Sequence, residues 1–528
     1  MSRPDLAAHP IGAVRAYLAE RQRWAWLAPV LVAVFLKRAS LSEVQVAVEA
    51  FLALGVVLLA YRRPGTALLV LAALLPFHLV GLALLYHFGL PSGVVRGLAS
   101  WKEGLGIGVL ASAIVTSIRF RPRLDLVDKL AFAYLAIVVF YLALPRVIAP
   151  SGLLTPGAPL DWGIRVLGLR ADIGFVLLFL AARHAAVSPE YRARLLRVIV
   201  ATGVVVAGIG IYHFVSPDGW NSFVLNTAEL PRYETNIAHL SPAALESVLH
   251  ALNVTPVRAG SVLLSPFALG DYLLISFALG IELMTRDRHR LFSHLAVPVI
   301  GVGLVMTFAR AGVVGALVIV LVATRPLPGR RGSARLRFAA VAAIVVVLAA
   351  PGLYQTRLSG ARGGSASSVE HIRETATGIA NLTKVPLGTG LGTAPGVGDR
   401  FSAPQTIVSD NSYVQVGNEL GVPAMLVFIA LLAALVPSLR RGVVADPSNA
   451  LCAGARGACI GLIVAGLFHH VWIDFPVSWT FWMAAGLALN SSDRLTAGLQ
   501  ERGDTLSHHR PLPRPTTRTT NPWSFGNT

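Results

Sequence analysis

TALLVLAALLPFHLVGLALLY, residues 66–86, holds no Asp, Glu, Lys or Arg from end to end. As a helix rising about 1.5 Å per residue it covers roughly 30 Å, the thickness of a bilayer's hydrocarbon core. Apolar runs of similar character recur along the chain, among them 198–214 and 336–350. Of the 528 residues, 54% are hydrophobic and only 14% charged, with mean hydropathy +0.64. A soluble domain carries about 25% charged residues, so this is a membrane composition. The expected fold class is all-α, a polytopic integral membrane protein of about 11–14 transmembrane helices with a large outer-face loop.

The formal charge of +18 does not indicate nucleic acid here, because the arginines fall in short loops between apolar runs. Such clusters stand at 62–63, 119–129, 183–197, 286–290, 325–337 and 440–441. An excess of Lys and Arg in loops marks the cytoplasmic side. With these clusters inside, 1–23 is a cytoplasmic N-terminal segment and 24–215 an N-terminal transmembrane bundle. An outer-face loop follows at 216–258, then helices over 259–353 and a second, larger outer-face loop at 354–410. Helices resume over 411–490, and 491–528, rich in Pro, Thr and Arg, reads as a disordered cytoplasmic tail. The first apolar run, from Trp24, reads as a retained anchor of a multi-pass protein of the cytoplasmic membrane. Cys452 and Cys459 share one apolar run and read as packing residues.

Four clusters on the outer side carry polar chemistry. In VRAGSVLLSPFALGDYLL, 257–274, Arg258 marks the mouth of a helix and Asp271 lies about four turns inside it. Arg258 reads either as an interfacial snorkelling residue or as a site residue. An acid within a span costs roughly 2.5–3.5 kcal/mol on insertion scales, so Asp271 needs a reason. In TFARAGVVGAL, 307–317, small residues flank Arg310 and allow close approach of another helix or of an anionic head group. The long loop adds Arg357, Arg362, His371, Arg373, Lys384 and Arg400, an outward positive charge that calls for an anionic partner. Its surface helix is expected over 367–382, and its glycine-rich PLGTGLGT, 386–393, is either a phosphate cradle or a plain turn. In SDNSYVQVGNELGVPAM, 409–425, Asp410 is either a helix N-cap or a reactive carboxylate. His469, His470 and Asp474 form another outer turn, expected to be interfacial.

In this order the blocks RAGSVLLSPFALGDYL (258–273), TFARAG (307–312), PLGTGLG (386–392) and DNSYVQVGNELG (410–421) resemble the O-antigen ligase and polymerase family of integral-membrane glycosyltransferases. The resemblance implies transfer of a glycan from an undecaprenyl-pyrophosphate donor to a saccharide or lipid acceptor. It implies no nucleotide, no metal and no other cofactor. It also implies that Arg258 and Arg310 bind the pyrophosphate, and Arg373, one of the loop cations that call for an anionic partner, is expected to bind it with them. Family ligases carry His-Asn where this chain has Asp410–Asn411, which makes Asp410 one candidate catalytic base and His371 the other. The residue types suit the chemistry, since fixed arginine donors stabilise a departing pyrophosphate and a carboxylate or imidazole takes the acceptor proton. Partners would be the lipid-linked donor, the acceptor and membrane lipids. The rival readings are a flippase or exporter of lipid-linked glycans and a structural subunit of an assembly complex. A transporter would concentrate its polar residues near the midplane, whereas these lie towards one surface.

Overall fold

The computed structural model describes residues 53–143, 162–238, 258–286, 291–323, 364–393 and 410–490, with backbone alone for 364–371. Both chain termini, the 242–253 segment, Arg357, Arg362, Arg400 and the His371 side chain lie outside the described residues. Those described are helical throughout, without a strand. In chain order the helices are α1 (Ala53–Arg62), α2 (Pro64–His87), α3 (Ser92–Phe120), α4 (Leu126–Ala143), α5 (Trp162–His184) and α6 (Glu190–Val215). Two short helices follow, α7 (Pro217–Ser222) and α8 (Leu230–Asn236), then α9 (Pro266–Arg286), α10 (Leu291–Met306) and α11 (Arg310–Ala323). The last are α12 (Gly364–Lys384), α13 (Ser412–Ala445), α14 (Ala450–Ala465) and α15 (Phe475–Ala488).

Six of these, α2, α3, α4, α6, α9 and α13, are long and apolar enough to cross a membrane, and α1, α10, α11 and α14 are shorter apolar helices. The chain is an all-helical, multi-pass membrane protein. The 66–86 run lies within α2 and the 198–214 run within α6. The expected surface helix of the long loop is α12, which packs on α13. Both cysteines are buried and free, as packing residues should be.

Helix contacts follow small residues. Gly270 of α9 faces Ala309 and Gly312, so that a Cβ on Gly270 would stand 3.3 Å from the Ala309 Cβ. The small neighbours of Arg310 therefore bring α11 against α9, the close approach that such residues permit within a bilayer. Helices α5 and α15 run side by side in the same direction, with Gly174 against Trp479 and Gly486 against the Phe179 carbonyl.

The bundle has two chemically different ends. At one, Arg183 pairs with Asp125 (2.6 Å) and Asp128 (2.9 Å), and Arg192 donates to the Asn490 carbonyl beyond the α15 C-terminus (2.8 Å). At the other lie the N-termini of α9, α11, α13 and α15 and the C-termini of α10 and α14. Arg258, Arg310 and Asp410 all stand there.

One expectation is corrected. Asp271 does not lie four turns inside a helix that begins at Arg258. Residues 261–263 form a single 3-10 turn, Leu264 takes φ +61°, and α9 begins only at Pro266. Proline has no N–H to donate and tolerates only the first turn of a helix, so Ser265–Pro266 restarts the chain. Asp271 is thus in the second turn of α9, near the end of the bundle.

Candidate functional site

Two turns packed against each other hold the arginines. Ala259 N–H donates to the Met306 carbonyl (3.0 Å), joining the approach to α9 to the end of α10. Thr307 Oγ1 accepts from Ala309 N (3.1 Å) and so closes the turn that launches α11 at Arg310. Arg258 Nε donates to the Thr307 carbonyl (3.1 Å), and its guanidinium lies over the Phe267 ring at 4.7 Å. A planar cation stacked on an aromatic face and anchored through Nε keeps its terminal nitrogens in a fixed fork, which lysine cannot reproduce. Arg310 is half-buried at the first position of α11, three residues beyond that carbonyl.

Asp271 is 0% exposed and His469, from the turn between α14 and α15, is 5% exposed. Their side chains meet at 2.6 Å (Nε2 to Oδ2), and the His469 ring lies on Phe267 at 5.2 Å between centroids. Phe267 therefore carries Arg258 and His469 together. Burial works against a charged His469, but the Asp271 carboxylate outweighs it and raises the imidazole above its ordinary range. Asp474 stands just before α15 without capping it, and burial, aided by the charge of Asp271, pushes its carboxyl up to about 7. His469, expected to be interfacial, is instead buried against Asp271, with the half-buried Asp474 close by. The signal was present in sequence as a second charge, Asp271, that had no partner within its own apolar run.

Asp410 is half-buried and faces His470, Oδ1 to Nε2, at 3.6 Å. It is not the N-cap of α13. Asn411 takes that place, its side-chain oxygen accepting from Tyr413 N (3.0 Å) and Val414 N (3.1 Å). Ser412 ties the two segments together, donating to the His469 carbonyl (2.7 Å) and accepting from Val471 N (2.9 Å). Arg373 is exposed on α12 and is not joined to this cluster. His371 lies on the same helix.

The glycine-rich turn is a clip. Thr389 N and Gly390 N donate to the Asn418 and Glu419 carbonyls (2.8 and 2.9 Å), Gly392 N to Glu419 Oε1 (2.8 Å), and Val422 N to the Pro386 carbonyl (2.8 Å). These amides satisfy the backbone where α13 kinks at Gly421 (φ +82°), and they are not directed at a phosphate. A Cβ at Gly421 would come within 2.9 Å of the Leu387 carbonyl, so both its φ and its contacts require glycine.

Among the described residues no group of three or more His, Cys, Asp or Glu could hold a metal ion. Neither a protein-family model nor a curated protein matches the sequence.

Proposed function

We propose that the chain is a membrane glycosyltransferase that transfers or polymerises a lipid-pyrophosphate-linked oligosaccharide on the outer face of the cytoplasmic membrane. The observation that carries this reading is the grouping of Arg258, Arg310, the Asp271–His469 pair, Asp474 and Asp410–His470 at one end of an apolar bundle. Fixed cations at a membrane surface suit an anionic head group whose lipid tail stays in the bilayer. In the reaction the bond from the anomeric carbon to the pyrophosphate oxygen breaks as the bond to the acceptor oxygen forms. Negative charge grows on the departing oxygen, where Arg258 and Arg310 supply donors. The acceptor proton passes to Asp410, which His470 orients. Direct displacement inverts the anomeric centre.

The test is an assay of the protein in proteoliposomes with a synthetic undecaprenyl-pyrophosphate glycan and a saccharide acceptor, scored by mass. A product with the glycan moved to the acceptor, and none in the Arg258→Ala protein, is expected. Folded protein that yields no transfer product, or transfer unchanged in Arg258→Ala, would overturn the reading.

A further inference from the structure

A second polar site lies beside the charged cluster, along the first turns of α13. Tyr134 of α4, Asp172 and Phe175 of α5, Gln415 and Glu419 of α13, and Trp472 surround a cavity with about 40 Å³ of space, partly open. Among the described residues that line it, none is Arg or Lys. Gln415 is only 8% exposed, yet its side-chain amide has no partner among the described residues. The buried Asp172 Oδ2, the Tyr134 hydroxyl and the Trp472 indole N–H also make no hydrogen bond. Glu419 is held by Gly392 N (2.8 Å) and is near enough to Asp172 for their charges to act on each other. Buried polar groups are nearly always satisfied, so this many open donors and acceptors around one cavity call for a ligand.

We propose that this cavity is the acceptor subsite and receives one hydroxylated edge of an uncharged saccharide. This rests on the glycosyltransferase reading above. The space accommodates about three waters, which matches a pair of neighbouring hydroxyls but not a whole pyranose ring. Two carboxyls, an amide and a phenol offer the mixed donors and acceptors that hydroxyls use, and Phe175 and Trp472 provide apolar faces for the C–H side of a ring. Only two carboxylates line the cavity, and among the described residues no group of three or more His, Cys, Asp or Glu could hold a metal ion. An anionic sugar or a phosphorylated lipid head would meet two carboxyls where no Arg or Lys stands among the described lining residues. The division of charge is then functional: the arginine side takes the pyrophosphate of the donor, and the carboxyl side accepts only a neutral acceptor. The two sides share the 410–415 turn, through which Ser412 lines the cavity and also fixes His469.

Saturation-transfer NMR on the full-length protein in nanodiscs tests binding directly, with methyl glycosides of neutral hexoses as probes and the corresponding uronic acids as competitors. Neutral glycosides should bind, the uronic acids should compete about tenfold less well or worse, and Asp172→Asn and Gln415→Leu should each weaken binding by about tenfold, the loss of one hydrogen bond to a strong acceptor or donor. In the proteoliposome assay the same variants should raise KM for acceptor while leaving KM for donor unchanged. Neutral glycosides that bind to a protein without transferase activity would keep the subsite and remove the enzyme reading. Transfer activity with an unchanged acceptor KM in both variants would do the reverse. Equal competition by uronic acids, or binding seen only for sodium or ammonium ions, would overturn the proposal.

Discussion

The Asp271–His469 pair allows the sharpest test of the structure, because the charged and neutral versions of that contact predict different numbers. The carboxylate is wholly buried in the second turn of α9, and an ionised group buried without a partner costs several kcal/mol. His469 at 2.6 Å offsets that cost. Replacing His469 by Gln strands the charge, and removing one partner of a buried pair costs about 3–5 kcal/mol. Replacing Asp271 by Asn is milder. The charge goes, burial returns His469 to its neutral form, and an imidazole–amide hydrogen bond worth about 1 kcal/mol can survive. His469→Gln should therefore lose more stability than Asp271→Asn, while the double variant should resemble Asp271→Asn. The coupling energy should then match the His469→Gln loss in magnitude, about 3–5 kcal/mol. Denaturant unfolding of the protein in detergent, followed by tryptophan fluorescence, measures all four corners of the cycle. Equal single losses that add within about 0.5 kcal/mol in the double variant would show that the two side chains do not form a buried ion pair.

Arg258→Lys and Arg310→Lys should each reduce transfer by about 10- to 150-fold with normal membrane levels, the worth of a hydrogen bond to a charged group; near wild-type turnover in either would remove that arginine from the site. Asn411→Ala should cost about 1 kcal/mol of stability as a lost cap, whereas Asp410→Asn should abolish turnover with stability and donor binding kept; an active Asp410→Asn protein would return the role of base to His371. Asp474 binds its proton up to about 7 when folded and releases it near 3.8 when unfolded, so the folded state holds the extra proton in that window and stability falls as pH rises through it. The contribution of His469, whose folded value is raised, is likewise present below about 6.5 and lost as pH rises through that raised value, and Asp474→Asn should remove only the first of these losses in thermal unfolding between about pH 5 and pH 8. With Cys452 and Cys459 replaced, a cysteine at 371 should react with an impermeant reagent in intact cells and one at 330 should not; the opposite pattern would invert the membrane orientation.

The helical, multi-pass architecture was legible in sequence, because bilayer thickness and hydropathy act on each run by itself. Gathering Arg258, Arg310 and Asp410 at one end was legible too, since the alternation of loop charge orders helix ends without knowledge of packing. What escaped was pairing between distant segments. Asp271 and His469 are 198 residues apart; one reads as an acid in need of a reason and the other as an interfacial group, and neither points to its partner. Asp172 sits among apolar residues with nothing local to distinguish it, and its place opposite Glu419 depends on how α5 meets α13. The glycine-rich 386–393 stretch, readable as a phosphate cradle or a plain turn, is decided by tertiary contact: amides of Thr389, Gly390 and Gly392 bond to 418–419 beside the kink at Gly421. Asp410 and Asn411 are both good caps by residue type, and only backbone geometry decides between them.

The 410–422 segment accounts for most of the site's organisation, and it does so through rigid contacts. Its first residue faces His470, its second caps α13, and its third fixes both ends of the turn that carries His469. One turn further on, Gln415 and Glu419 face the cavity, and Glu419 is itself held by the clip. Because α13 restarts at Gly421, this opening stretch is separated from the long apolar part of the helix. Hydrogen bonds to the clip and to the 466–471 turn fix its orientation, so lipid packing along the remainder of α13 has little leverage on it. A surface loop would not hold such groups within the fraction of an ångström that transfer chemistry requires. A helix turn pinned from both sides does, and through Ser412 it joins the Asp271–His469 pair to the cavity that Gln415 and Glu419 line.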